Sequence, residues 1–463
     1  MWQRCRGWDC RRQEEKPVLT ENAQTTYFEQ LMERLATRTA VVGVVGLGYV
    51  GLPLAVEHAA AGFFVIGLDD NLSKVDRVNK GDNYIPDVDS DLLRSLTASG
   101  KLQATGDYER LTEADVIIIC VPTPLTTNKE PDLSYILAVA EKVRRIMRPG
   151  QLIALESTTY PGTTEEVLEP ILETSGLRVG DEFFLAFSPE RVNPGDAVYK
   201  TGNTPKLVGG VTEKCRQAAT LLYQQSISHV IPVSSPRVAE MSKVFENTYR
   251  AVNIALVNEL ALLCDRMNLD VWEVLQAAGT KPFGIQIFQP GPGVGGHCIP
   301  LDPFYLSWKA REYDFPTRFI ELAGEINLRM PYFVVDKVVR AMNGQKKAVN
   351  GSRILLLGVA YKKDINDERE SPALKIFELL EQQGAVVQYH DPYVPVVKPH
   401  TFFSRQIRSV PLTQDLLESQ DCVVITTDHS TVDYAWVAQH SALIVDSRNA
   451  CKDLGNRDNI VRL

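Results

Sequence analysis

Short apolar runs rich in β-branched residues alternate with segments of helical periodicity from Thr39 onward: VVGVVG at 41–46, FFVIGLD at 63–69, DVIIICVP at 115–122 and QLIALEST at 151–158. Strands covered on both faces read as continuous apolar runs, and strands separated by helices pair in parallel. A doubly wound α/β domain is the expectation. The alternation returns after Asn350 in RILLLGVAY, AVVQYHD, DCVVITTD and ALIVDSR, which predicts a second, smaller α/β domain. Between the two lies a long helical pattern from Arg237 to Met267. Its stripe through Val238, Met241, Phe245, Thr248, Val252, Ala255, Glu259 and Leu260 reads as core packing in a connector between domains, with a subunit interface as a further use. The expected architecture is two Rossmann-like, doubly wound parallel-sheet domains joined by a central helical domain. Its expected parts are an N-terminal extension over 1–39, a first α/β domain over 40–236, a helical domain over 237–330 and a C-terminal α/β domain over 331–463.

A chain of 463 residues exceeds what one core usually serves, which agrees with that division. A net charge of -9 argues against general nucleic-acid binding, which needs a basic face. Eight cysteines without a CxxC pair fit a reduced, cytoplasmic setting and no metal centre. Cys5 and Cys10 have no further cysteine or histidine nearby, so the first residues read as a loose tail. The longest apolar stretch, Val41 to Val56, carries four glycines and Pro53 and is too short to span a membrane. The first 39 residues lack the apolar core of a secretion signal.

Gly46-Leu47-Gly48-Tyr49-Val50-Gly51 follows the first strand and opens a helical run, the setting a dinucleotide fingerprint requires. The first glycine makes the turn, the second admits the pyrophosphate and the third lets helix pack on strand. Asp69 ends the next strand, where a carboxylate accepts hydrogen bonds from ribose hydroxyls and repels a 2′-phosphate. NAD is expected over NADP, with Lys74 nearby softening the preference.

The run GPGVGGHCIPLD at 291–302 places Cys298 in a turn holding four glycines. Glycines allow positive φ and close approach to a ligand. A helix starting near Pro300 would put the thiol by a positive helix end and lower its pKa. From the loop alone, a reactive thiol and a buried structural cysteine both remain open.

Taken together, VGVVGLGYVGLPLA, CVPTPL, ESTTYPGTT, FSPERVNPGD, AEMSKVFENTYRA, GPGVGGHCIPLDP and GVAYKKDINDERESPA make the chain resemble the UDP-glucose/GDP-mannose dehydrogenase family over about 41–449. The resemblance implies oxidation of a UDP-sugar C6 alcohol to a carboxylate by two successive NAD molecules, with Cys298 carrying the intermediate as thiohemiacetal and then thioester. It implies an oxyanion site at Lys243 and Asn247, and acid–base or orienting roles for Asp302, Thr158 and Glu190. Pro122, Thr123, Thr158 and Arg369 join the glycine turn as cofactor contacts. Glu190, Arg191, Lys243, Asn247, Gly295, Gly296 and Lys362 are implied substrate contacts. Lys363 reads instead as part of a surface ion-pair cluster with Asp364, Asp367 and Glu368.

Pro194 stands where members acting on UDP-glucose often carry a second glutamate, which points to the branch taking N-acetylated sugars. UDP-N-acetylglucosamine is the implied substrate, its 2-epimer UDP-N-acetylmannosamine or UDP-glucose the alternatives, and surface polysaccharide the destination. His297 is not expected to act as a base, since adjacent side chains point apart. The family resemblance and the long helix together suggest at least a homodimer. A simple two-electron dehydrogenase would leave Cys298 unexplained, and a non-catalytic nucleotide-binding protein would need no nucleophile.

Overall fold

The computed structural model describes residues 25–463 except 127, 194, 195, 197, 297, 400–403 and 456. Cys5, Cys10, Pro194 and His297 therefore lie outside the described residues. The first sheet contains β1 (Val41–Val45), β2 (Phe64–Leu68), β3 (Leu102–Thr105), β4 (Val116–Ile119), β5 (Leu152–Leu155), β6 (Phe184–Phe187), β7 (Lys206–Gly210) and β8 (Val230–Val233). Their spatial order is β3-β2-β1-β4-β5-β6-β7-β8. Strands β1 to β6 run parallel in the doubly wound order, with the switch point between β1 and β4, where the crevice for a ligand opens. The pairing of β6 with β7 is antiparallel, so this sheet is not parallel throughout.

The continuous apolar runs are explained by burial on both sides. Val116 and Ile118 pack into one core with Val42 and Val44, while Ile117 and Ile119 pack into the opposite core with Leu155 and Phe187. The first core also includes Leu31 and Leu35 of a helix spanning Tyr27–Thr37, whose start is fixed by a capping box between Thr26 and Glu29. Arg34 of this helix pairs with the buried Asp115 at 2.7 Å. Residues 27–37 thus pack against the first sheet, ahead of the expected boundary at 39/40. Polar, charged spacing hid a two-leucine seam too short to stand out.

The second sheet has β9 (Arg353–Leu357) and β10 (Val386–His390), then, beyond a small antiparallel pair β11 (Val396–Val397) and β12 (Ile407–Arg408), β13 (Cys422–Ile425), β14 (Ile444–Asp446) and β15 (Ile460–Arg462). It is parallel throughout, in the order β10-β9-β13-β14-β15.

Two long helices join the sheets. The connecting helix Pro236–Met267 starts at Ser235, whose side chain accepts the Val238 N–H, and stops at Asn268 with a φ of 56°. Its buried face carries Glu240, Lys243, Asn247, Ala251, Ala255 and Asn258. The stripe expected in the core is largely outside it: Val238, Met241, Phe245 and Glu259 are exposed, and only Thr248 and Ala255 of that set are buried. The face turned inward is small and polar because it lines a site, and the apolar face points away. The helix Arg318–Gly344 runs unbroken through Pro331. Its Met330, Val334 and Val338 share one core with Ile354 and Leu356 of β9, so the expected boundary at 330/331 falls inside a single element. Among the described residues, no helix is long and apolar enough to cross a membrane, and no cluster of three His, Cys, Asp or Glu side chains could hold a metal ion.

Candidate active site

The glycine turn after β1 separates into three jobs. Gly46 has a φ of +94°, and a β-carbon there would lie 2.3 Å from the Cys120 carbonyl oxygen. At Gly51 a β-carbon would lie 1.8 Å from the Gly46 carbonyl oxygen, so helix and strand could not close. At Gly48 it would meet nothing within 4 Å. That open space lies before the helix Gly51–Ala60, whose N-terminal N–H groups favour a phosphate, so the turn fits a dinucleotide pyrophosphate. Val50 is the residue from which this helix starts, and Tyr49 beside it is exposed.

Asp69 accepts the Leu47 N–H at 2.9 Å and the Asn71 N–H at 2.9 Å, which fixes its carboxylate beside the turn. Lys74 donates to it at 3.0 Å. The charge read as softening a preference for NAD is therefore paired with Asp69. On the far side of the switch point, the loop after β4 presents an exposed Pro122 and a buried Thr123. It is tied to the loop after β5, where Ser157 Oγ accepts the Val121 N–H at 2.9 Å beside the half-buried Thr158. Glu240 pins that second loop to the connecting helix by accepting from the Gly162 and Thr164 N–H groups at 2.6 and 2.9 Å.

Lys243 and Asn247 sit one turn apart on the inner face of the connecting helix, and Asp302 is buried beside them. Asn247 Nδ2 donates to Asp302 Oδ2 at 2.5 Å. Burial pushes the Asp302 carboxyl up to about 6, against the pull of Lys243 and Asn247. The helix after the glycine loop begins at Asp302, not at Pro300, and the Leu301 and Asp302 N–H groups donate to the Cys298 carbonyl at 3.1 and 2.9 Å.

Cys298 is exposed to solvent, with the charges of Asp302, Lys243, Arg369 and Arg250 acting on its sulfur. Desolvation and then Asp302 push its thiol above the usual range, while Lys243, Arg369 and Arg250 pull it down. The lowering expected from a helix end is thus overturned, because crowding and a neighbouring carboxylate outweigh a dipole directed at the backbone carbonyl.

The glycine loop is held from both sides. The Gly291 N–H donates to Asn258 Oδ1 at 3.0 Å, and Asn258 in turn donates to Asn327 Oδ1 at 2.9 Å. The Gly296 N–H donates to the Arg369 carbonyl at 2.9 Å. A β-carbon at Gly295 would stand 2.6 Å from Tyr361 Cβ, and one at Gly296 would stand 2.9 Å from the Tyr361 ring. These two glycines thus have a packing reason to lack side chains, since the second α/β domain fills the space. Arg369 is braced by Asp367 at 2.6 Å, and its guanidinium lies 5.1 Å from the Tyr49 ring centre, which links that domain to the glycine turn of the first.

Glu190 Oε1 accepts the N–H groups of Arg191 and Val192, both at 2.7 Å. Arg191 is committed to Glu246 at 2.7 Å and to the Pro205 carbonyl at 2.8 Å. Lys362 Nζ donates to Asn193 Oδ1 at 3.0 Å, and burial, then Arg250, lower its pKa. Lys362 lines a cleft of about 1500 Å³ with Arg250, Lys363, Arg448 and, on its acidic side, Asp270 and Asp428. Lys363, expected in a surface ion-pair cluster, acts on the Asp364 carboxylate and also lines this cleft. Arg250 escaped the sequence reading, although its place seven residues after Lys243 puts it on the same helix face.

Residues 40–227 match the NAD binding domain of the UDP-glucose/GDP-mannose dehydrogenase family, 237–329 its central domain and 355–453 its UDP binding domain. The UDP-N-acetyl-D-mannosamine dehydrogenase of Pyrococcus horikoshii is 36% identical over 419 residues, 89% of this chain and 96% of that protein. The chain belongs to the UDP-glucose/GDP-mannose dehydrogenase family. A second relative of this family of NAD-dependent oxidoreductases is the UDP-N-acetyl-D-glucosamine 6-dehydrogenase of Pseudomonas aeruginosa, 39% identical over 355 residues, 76% of this chain and 83% of that one. The solved structure of the Pyrococcus horikoshii UDP-D-ManNAc dehydrogenase superposes with a TM-score of 0.82 at 34% identity, covering 91% of this chain and 98% of that chain. The first sheet is accordingly the NAD-binding domain of a UDP-sugar dehydrogenase, and the second belongs to its UDP-binding domain.

Proposed function

We propose that the protein oxidises the C6 alcohol of UDP-N-acetylglucosamine to the carboxylate in two steps through Cys298. The carrying observation is an exposed thiol beside a buried Lys243–Asn247–Asp302 group, an arrangement that a single alcohol oxidation would not need. NAD supplies the acceptor for one hydride in each oxidation. The fit for it rests on the open space at Gly48, Asp69 held at the β2 end and Arg369 over Tyr49. Pro122, Thr123 and Thr158 flank the same crevice.

Asp302 takes the proton of the C6 hydroxyl, and Lys243 and Asn247 stabilise the oxygen as it gains charge. The Cys298 thiol then adds to the aldehyde, its proton passing to the oxygen, and the resulting thiohemiacetal gives up a second hydride and a proton to leave a thioester. Water, oriented by Thr158 and Glu190, hydrolyses it and frees the thiol. Lys362, Arg250 and Lys363 face the diphosphate, with Arg191, Gly295 and Gly296 forming the walls around the sugar.

The names of both relatives support an N-acetylated sugar. UDP-N-acetylmannosamine is the second reading, favoured by the nearly full-length likeness to the Pyrococcus horikoshii enzyme. The expected setting is the cytoplasm, in a homodimer that supplies a uronic acid for surface polysaccharide. Exposure of Met241, Phe245, Leu256 and Leu263 along the connecting helix supports such pairing.

NADH yield with UDP-N-acetylglucosamine, UDP-N-acetylmannosamine and UDP-glucose tests the proposal. Two NADH per sugar, with UDP-N-acetylglucosamine the best substrate, are expected. One NADH per sugar, or a Cys298→Ala variant that completes the second oxidation, overturns the mechanism.

A further inference from the structure

Beneath the loop that carries Glu190, a lysine is buried between two carboxylates. Lys206 opens β7 with its side chain 5% exposed, and Glu156, directly after β5, is fully buried. The Lys206 ammonium lies 2.7 Å from Glu156 Oε2, 3.4 Å from the Pro189 carbonyl and 3.9 Å from Glu190 Oε2. The ammonium donates to the first two of these oxygens and forms an ion pair with the third. The other oxygen of Glu156 accepts the Tyr223 hydroxyl at 2.5 Å, and the Tyr223 ring lies 5.1 Å from the ammonium. Tyr223, fully buried on the helix Glu213–Gln224, thus anchors the whole group.

We infer that Lys206 is a positioning residue for Glu190, holding that carboxylate, from a Tyr223–Glu156 anchor, in the place that thioester hydrolysis requires. The inference rests on the proposed role of Glu190. In that step the oxygen of water bonds to C6 and the C6–S bond breaks with its electrons going to the Cys298 sulfur. The proton of water passes to Glu190 and on to the thiolate, and the product acid ionises.

Two features separate this group from an ordinary buried ion pair. Lys206 donates to the carbonyl of the residue before Glu190 and pairs in charge with its side chain, so it bears on both backbone and carboxylate. It also sits between two acids, so its removal leaves two like charges with no cation between them. The other titratable groups facing it are His58, kept neutral by burial that lowers its pKa to about 3, and Cys120, whose thiol burial pushes up. Burial alone would lower Lys206, but Glu156 and Glu190 outweigh it and keep the ammonium charged.

The test is rapid-quench turnover of the full-length enzyme with UDP-N-acetylglucosamine, reading the NADH burst and, by intact mass, the acyl-enzyme on Cys298. The variants are Glu190→Gln, Lys206→Met, Lys206→Arg, Tyr223→Phe and the Glu190→Gln/Lys206→Met pair. Lys206→Met is expected to keep the burst of two NADH per site, accumulate acyl-enzyme and slow hydrolysis roughly 10- to 100-fold, within the span of acid–base effects. Lys206→Arg should recover most of the rate, and the double variant should be no slower than Glu190→Gln alone.

Lys206→Met that hydrolyses normally beside a slow Glu190→Gln overturns the role of Lys206 alone. The same follows if Lys206→Met slows the burst and hydrolysis equally, or if the two substitutions multiply. Normal hydrolysis in Glu190→Gln overturns the reading of Glu190 and this inference with it. Should Lys206→Met not fold, Tyr223→Phe, which deletes one hydroxyl, carries the test: hydrolysis slowed several-fold supports the anchor, and unchanged hydrolysis overturns it.

Discussion

Desolvation of the sulfur and the Asp302 charge both push the Cys298 thiol up, which favours its neutral form. Removing that carboxylate should make the thiolate easier to form. Asp302→Asn is expected to raise the rate of Cys298 alkylation by iodoacetamide several-fold at pH 7.5, measured by peptide mass spectrometry, while turnover is lost.

Asp302 itself should set the acidic limb of kcat/KM. As pH falls through about 6 it takes up a proton and can no longer accept one from the C6 hydroxyl. The plot is expected to fall about tenfold per pH unit below that value. Asp302→Asn should lose this limb along with roughly 10²- to 10⁴-fold in rate. The same shift has a cost to stability. A carboxyl raised on folding favours the native state most below its ordinary value near 4, and that advantage is lost as pH rises through about 6. By neutral pH the loss is on the order of 3 kcal/mol.

Lys243, Asn247, Asp302 and Cys298 were legible as residues because short motifs carry them. Lys206 and Glu156 were not, since fifty positions separate them and only the sheet brings them together.

At the level of elements, the glycine turn offers a clean separation of folding from binding. Gly51→Ala would thrust a methyl group 1.8 Å from the Gly46 oxygen, so it should lower the melting temperature by several degrees or abolish folding. A β-carbon at Gly48 meets nothing within 4 Å. Gly48→Val is expected to keep its melting temperature within a degree or two in the absence of cofactor and to weaken NAD binding at least tenfold, by calorimetric titration.

The strands β1, β2, β4 and β5 announced themselves as β-branched runs. β3 reads LQAT and β6 reads FLAF, too short or too poor in Val and Ile to be noticed, yet each completes the sheet. The connecting helix was placed correctly but faced wrongly. Periodicity finds an apolar stripe, and the stripe was assigned to the core when the inward face was needed for Lys243 and Asn247.

For the whole molecule, that outward stripe is the feature to test. Phe245 is 60% exposed, Leu256 61% and Leu263 52%, a row of large apolar side chains left to water on one helix face. Sedimentation of the wild-type chain should show at least a dimer. Phe245→Asp with Leu256→Asp should give a monomer, since charges on that face cannot be buried unpaired. The division into two sheets and a helical middle was readable from alternation alone. The exact limits were not, because a 27-residue helix belongs to the central region at one end and to the second sheet at the other.

Tyr361 occupies the room left by two missing β-carbons in the glycine loop, so the second sheet engages the thiol's loop as a key engages a lock. Every side chain assigned to the oxidation at C6 lies upstream of that sheet. Cutting the chain near residue 346 and removing the C-terminal piece would therefore keep all of those groups in the chain and still disarm the enzyme, because the wards that hold Cys298 in register would be gone.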